Sequence, residues 1–174
     1  MAYDIEIISV GDESSARIQE VAHTLNVAQE EFRFNLPPER LRDEGAVFVR
    51  EEYDTATVFE FLQDYRNQAK GYRPFLIAVV NSKLRSERLL NLFGSHEASK
   101  GLAVITLHDH QHYADSYRPY LCYYFIRYAL SFVCPNLRVH DETRNCFFDR
   151  KLRKADLQKS LESGQEICST CGCG

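Results

Sequence analysis

Five side chains in the last third of the chain stand at a spacing that could bind metal: Cys134, His140, Cys146, Cys168 and Cys171. Their spacing is Cys-x5-His-x5-Cys-x21-Cys-x2-Cys. Zinc takes four soft or borderline ligands in a tetrahedron, and a Cys-x-x-Cys turn supplies two thiolates from one short loop. The pattern therefore offers one ligand more than a structural zinc needs. Cys146, Cys168 and Cys171 are the expected core of the set. His140 is the preferred fourth ligand and Cys134 the alternative, since Cys134 directly follows an apolar helix and could simply pack there. Cys173 reads as a spare thiol and Cys122 as a small hydrophobe.

Three further histidines stand in His108-Asp-His-Gln-His112. If the strand before them ran on, the imidazoles would share one face at period two and could hold a transition metal. Asp109 and Gln111 disfavour a strand, so a solvated loop is the expected reading. His23 lies off the apolar face of its helix and reads as a solvated residue. A redox role for Cys168 and Cys171 usually needs a helix amino terminus after the first Cys. Gly172-Cys-Gly174 follows the pair, so redox chemistry is the least expected of the three classes.

These residues need elements to position them. Ile5-Glu-Ile-Ile-Ser-Val10 reads as a first strand ending at Gly11-Asp12. Ser14 or Ser15 caps the next helix, in which Ile18, Val21, Ala22 and Leu25 recur at helical spacing. Phe32-Arg-Phe-Asn-Leu36 alternates as a strand and stops at Pro37-Pro38. Ala46-Val-Phe-Val49 predicts a short edge strand. Thr55 to Ala69 predicts a helix with Val58, Phe59, Leu62 and Tyr65 on one side, ended by Gly71. Pro74-Phe-Leu-Ile-Ala-Val-Val80 is apolar throughout, which places it mid-sheet with both faces covered. Leu89-Leu-Asn-Leu-Phe-Gly94 follows, then a polar loop is expected through Lys100 and a second buried strand at Leu102–Leu107. Tyr120 to Val133 is apolar nearly all round and predicts a core helix, stopped by Pro135. Arg127 inside it needs a carboxylate partner or a route to the surface. The polar segment after Asp149 predicts a helix with Leu152, Ala155 and Leu157 on its apolar face. It would carry Gly164 and the Cys168/Cys171 turn back towards Cys146.

The order of elements predicts an α/β fold: a mixed, mostly parallel sheet flanked by helices, with a C-terminal zinc knuckle. The 174 residues fit one domain, 1–174, with the knuckle in segment 134–174. Hydrophobic residues make up 44% of the chain, enough for a core. The net charge of −4 argues against a nucleic-acid or anionic-membrane partner. No apolar run reaches the roughly 18 residues of a membrane span. The amino terminus enters a strand directly, so six cysteines without a secretory signal predict a reducing cytoplasm with unpaired thiols.

Residues 74–171, over half of the chain, resemble the archaemetzincins, metzincin-type zinc proteases, with a looser match at the first strand. Leu90-Asn-Leu-Phe-Gly94 followed by Gly101–Leu107 is similar to the family's Phe-Gly element and the strand before its active-site helix. Tyr120–Val133 falls where that helix belongs. Cys146-Phe-Phe148 and Cys168-x-x-Cys171 resemble its Cys-x-Met and closing Cys-x-x-Cys. The family signature is H-E-x-x-H-x-x-G-x-x-H-C-x4-C-x-M: three His hold a catalytic zinc and the Glu is general base. Anchored at Cys146, His140 takes the third His position and Cys134 the second. Leu130 replaces the first His, Ser131 the Glu, Leu137 the Gly, Asp141 the first structural Cys, and Phe148 the Met. The other register, anchored at Cys134, puts Tyr123, Arg127 and Val133 at the His positions and Tyr124 at the Glu position. In neither is there a His-Glu-x-x-His.

The resemblance thus implies one structural zinc in a domain without protease machinery, acting as a protein- or peptide-binding module. The alternative is a metal-dependent hydrolase rebuilt from His108, His110, His112, His140, Asp141 and Glu142.

Overall fold

Aliphatic runs dominate the first part of the chain, and they make its sheet. The computed structural model describes residues 1–10, 15–37, 50–68, 74–112, 114–134, 136–137, 139–141, 145–151, 153–163 and 166–171. Several expectations fall outside them: Gly11-Asp12, Ser14, Pro38, the strand at 46–49, Gly71, Pro135, Glu142, Leu152, Gly164 and Cys173. The described residues divide into two compact units, Met1–His108 and Asp109–Gly174.

In the first unit the strands are β1 (Tyr3–Val10), β2 (Phe32–Asn35), β3 (Glu52–Asp54), β4 (Phe75–Val80), β5 (Lys83–Arg85), β6 (Gly94–Glu97) and β7 (Leu102–Thr106). Two helices accompany them, α1 (Ser15–Ala28) and α2 (Thr55–Gln68). The main sheet has the order β2-β1-β4-β7-β6. Its first four strands are parallel, with Ile7 beside Ile77 and Ala78 beside Val104. β6 runs antiparallel at the edge, with Ser95 beside Val104. The fold is α/β on a mixed, mostly parallel sheet, as expected.

The central place of β4 follows from its composition. Leu76 to Val80 are all fully buried, and a strand buried on both faces needs no polar alternation. One face of the sheet, carrying Ile8, Val10, Leu76, Ala78, Val80, Leu102 and Val104, packs against Val58, Phe59, Leu62 and Tyr65 of α2. These are the residues whose spacing predicted that side of the helix. α1 packs on β1 and β2. Glu6, buried on β1, accepts a hydrogen bond from the Tyr65 hydroxyl, so this buried carboxylate is satisfied. Gly101 enters β7 at φ +64°, and a Cβ there would meet the Pro74 carbonyl oxygen at 2.3 Å. Only glycine fits both constraints.

Two features differ from expectation. Residues 94–97 form the edge strand β6, so Ser95 to Glu97 are strand rather than part of a polar loop. Their Gly-Ser-His-Glu has little intrinsic strand preference, and pairing with the buried β7 overrides it. β3 and β5 pair as a separate two-stranded parallel sheet through Tyr53 and Leu84, both buried. Three-residue strands leave no periodic signal.

The second unit opens with a single 3₁₀ turn, His110–His112. Helix α3 then spans Tyr117–Val133 and α4 spans Lys154–Ser163, packed on α3. α3 begins three residues before the apolar run, because Ser116 caps it: its hydroxyl accepts the Arg118 N–H at 3.3 Å. Tyr120, Leu121, Tyr124, Phe125, Tyr128 and Ala129 are buried, as an all-round apolar helix requires. Among the described residues no helix is long and apolar enough to cross a membrane.

Candidate metal centre

All the ligand candidates that come together lie in the second unit. After α3 the chain reaches His140 and then a tight loop, 145–150. Asn145 holds a left-handed backbone at φ 59°, a conformation Asn tolerates, and so turns the chain into Cys146. The loop is laced on both sides. The His140 N–H donates to the Phe148 carbonyl at 3.2 Å and the Arg150 N–H to the His140 carbonyl at 2.9 Å. On the other side, the Phe147 N–H donates to the Glu166 carbonyl at 2.9 Å. Two short bridges, His140 with Asp149 and Cys146 with Glu166, thus bring three distant pieces of sequence side by side.

The Cys-x-x-Cys turn closes through Cys171 N–H to Cys168 carbonyl at 3.0 Å. One ligand atom each from His140, Cys146, Cys168 and Cys171 then lies within 4.8 Å of the others, a group that could hold a metal ion. The Cys146 and Cys171 sulfurs are 3.9 Å apart. That is close to the edge of about 3.8 Å of a tetrahedron with 2.3 Å metal–sulfur bonds. The His140 Nε2 sits 2.9 Å from Cys171 Sγ and 3.1 Å from Cys168 Sγ, at hydrogen-bonding distance. Three thiols and an imidazole are the donor set that suits zinc.

The surroundings act differently on the three sulfurs. Backbone N–H groups of Phe148 and Cys168 each point at Cys146 Sγ at 3.5 Å. The Thr170 hydroxyl, 3.0 Å from Cys168 Sγ, and then the His140 ring bring the Cys168 thiol down to about 6. Burial, followed by the neighbouring sulfurs, pushes Cys171 up to about 12. A cation bound among them would favour the thiolate at all three. No helix lowers the Cys168 thiol; a threonine inside the Cys-x-x-Cys spacer does similar work, and Thr170 is its sequence signal.

Arg127 is the residue that sequence reasoning assigned least well. It is buried on α3 and reaches neither of the partners foreseen for it. Its guanidinium donates to the carbonyl oxygens of Phe147, Phe148 (3.3 Å) and Asp149 (3.3 Å), and to the Tyr123 hydroxyl at 2.8 Å. It also lies over the Phe148 ring at 5.4 Å. A single planar fork thereby holds the loop that carries Cys146. Tyr123 adds a hydrogen bond to the Phe147 carbonyl at 2.9 Å.

The other candidates stand apart. Cys134 caps α3 and is disulfide-bonded, so the expectation of unpaired thiols holds for Cys122, Cys146, Cys168 and Cys171 but not for it. Asp141, at the position of a structural Cys in the resemblance, is exposed and paired with Arg150 at 2.9 Å. The strand before the three histidines ends at Thr106. Asp109 then turns the backbone at φ 58°, and 110–112 form a 3₁₀ turn, so the period-two arrangement does not arise. Among the described residues His108, His110 and His112 belong to no metal-holding group. Leu130 packs on the cluster of Cys146, Phe148 and Cys171. Ser131 is buried, with its hydroxyl on the Arg127 carbonyl at 2.9 Å.

No protein-family model matches the chain, and no curated protein matches it in sequence. Solved structures do. An archaemetzincin from Methanopyrus kandleri superposes with a TM-score of 0.62 at 15% identity, over 98% of this chain and 91% of that one. An archaemetzincin from Archaeoglobus fulgidus, complexed with malonate, gives 0.61 at 14%, over 97% of each chain. A zinc-dependent peptidase from Methanocorpusculum labreanum gives 0.62 at 13%, over 96% and 97%. The resemblance read from residues 74–171 therefore extends to the backbone of nearly the whole chain: it has an archaemetzincin-like fold.

Proposed function

We propose that this protein is a zinc-binding, catalytically inactive domain of metallopeptidase fold that acts as a protein- or peptide-binding module. His140, Cys146, Cys168 and Cys171 are the ligands in this reading, and the ion is structural. Four protein donors would fill its tetrahedral shell, leaving no open position for a reacting water. Bound there, the ion would cross-link the His140 segment, the 145–150 loop and the 168–171 turn.

The observation that carries the reading is the aim of the His140 imidazole. In the register anchored at Cys146, His140 is the one histidine retained from the catalytic signature, and its Nε2 faces two cysteine sulfurs. Leu130 and Ser131, at the first His and the Glu positions, are respectively packed on that cluster and hydrogen-bonded to the helix backbone. Neither can take a proton from water at neutral pH, and a general base is worth about 10²–10⁴-fold in rate. A fold kept without its chemistry retains its surface, which supports a binding role.

The test is metal analysis of protein purified without added zinc, together with a peptide-library cleavage assay. One zinc per chain and no chelator-sensitive cleavage are expected. Chelator-sensitive cleavage would overturn the inactive reading, and a second ion would return attention to His108, His110 and His112.

A further inference from the structure

We propose that Cys168 is a redox-modification site, at which a hydroperoxide converts the Cys168–Cys171 pair to a disulfide. The proposal concerns regulation of the same cluster, and rests on the metal reading for its consequence though not for its chemistry.

Access and proximity single out Cys168. Cys146 and Cys171 are 1% and 2% exposed, whereas Cys168 is partly exposed. A solvent oxidant therefore meets Cys168 first within the cluster. Two further thiols stand within 4.8 Å of it, so an oxidised Cys168 has a resolving partner at hand. Cys171 shares its turn, held by the 3.0 Å backbone hydrogen bond to the Cys168 carbonyl. Cys146 is fixed in the 145–150 loop, and its sulfur accepts two backbone N–H groups. Cys171 is accordingly the partner that can swing in to the S–S distance of about 2 Å. Cys122 is also partly exposed, but among the described residues it belongs to no such group, which makes it an internal control.

The steps balance. The Cys168 thiolate attacks the outer oxygen of the hydroperoxide, breaking the O–O bond. This gives the Cys168 sulfenic acid and releases hydroxide or alkoxide. The Cys171 thiol then attacks the sulfenic sulfur; the S–S bond forms and water leaves with the thiol proton. Two electrons pass from the two sulfurs to the peroxide. A disulfide supplies no thiolate, so two of the four donors are lost and the ion leaves.

The experiment titrates the purified full chain with hydrogen peroxide. Thiol alkylation with peptide mass mapping follows the sulfurs, and a chromogenic chelator follows released zinc. Cys168 and Cys171 should disappear from the alkylatable pool together, joined within one peptide. Cys122 should stay alkylatable, and zinc should appear in step with the disulfide. In Cys171→Ser, oxidation should stop at a Cys168 sulfenic acid trapped by a 1,3-dione. Earlier loss of Cys122 or Cys146, a Cys146–Cys168 link, or inert thiols would overturn the proposal. Disulfide formation in a sample that carries no zinc would sink the metal reading and leave the modification site standing.

Discussion

The sheet of the first unit and the cysteine loop of the second are both buried, yet different forces hold them. In β4 and β7 every fully buried position except Thr106 is aliphatic or alanine, and stability is spread over many side chains at about 25 cal/mol per Å² of apolar area. The buried cluster around the loop is Cys146, Phe148 and Cys171, with a few half-buried neighbours. What fixes it is a small number of polar ties: one arginine on three carbonyls, two short bridges, and four donor atoms at metal-binding distance. The difference implies that the sheet should lose stability gradually under substitution, while the loop should fail at single points.

Chelation should break the comparison most strongly. Structural zinc contributes about 10–16 kcal/mol in small peptides at neutral pH, so its removal should abolish amide-exchange protection in 145–151 and 166–171. The amides of Phe75–Val80 should stay protected. Equal loss in both regions would mean that the two are not held independently.

Arg127→Met comes next. It leaves three loop carbonyls without their cation, and hydrogen bonds to charged groups are worth about 1.5–3 kcal/mol each. A loss of roughly 3 kcal/mol or more in denaturant unfolding is expected, with weaker zinc retention. Arg127→Lys should recover only part, since an ammonium cannot span the three oxygens as a planar fork does.

Ile77→Val, in the middle of β4, should cost about 0.5–1.5 kcal/mol and leave zinc content unchanged. The smallest effect belongs to Asp141→Asn, which removes the exposed ion pair with Arg150, worth about 1 kcal/mol or less, and should keep the zinc. His140→Gln, one position earlier, should lose it. Zinc loss on Asp141→Asn would instead make the carboxylate a ligand.

The buried strands and helices were legible because their signal is local. Continuous apolar residues at 75–80 and 102–105, and the 3.6-residue repeat in α1 and α2, each report burial over a short stretch of chain. The spacing of Cys146, Cys168 and Cys171 was legible for a similar reason, since a Cys-x-x-Cys turn is itself a local structure. β6, β3 and β5 were not, because Gly94–Glu97 and two three-residue strands owe their form to the neighbour they pair with.

The sequence by itself determined the α/β class, the central place of β4 and the chemistry of the ligand set. Only the tertiary structure placed His140 within reach of the three cysteines and Cys134 in a disulfide, and showed that Arg127 is satisfied by carbonyls rather than a carboxylate. The physical reason is the same in both cases. Which donor reaches which acceptor depends on where the 145–150 loop crosses α3 and the 166–171 segment, and that is set by long-range hydrogen bonds that residue types and spacing do not record.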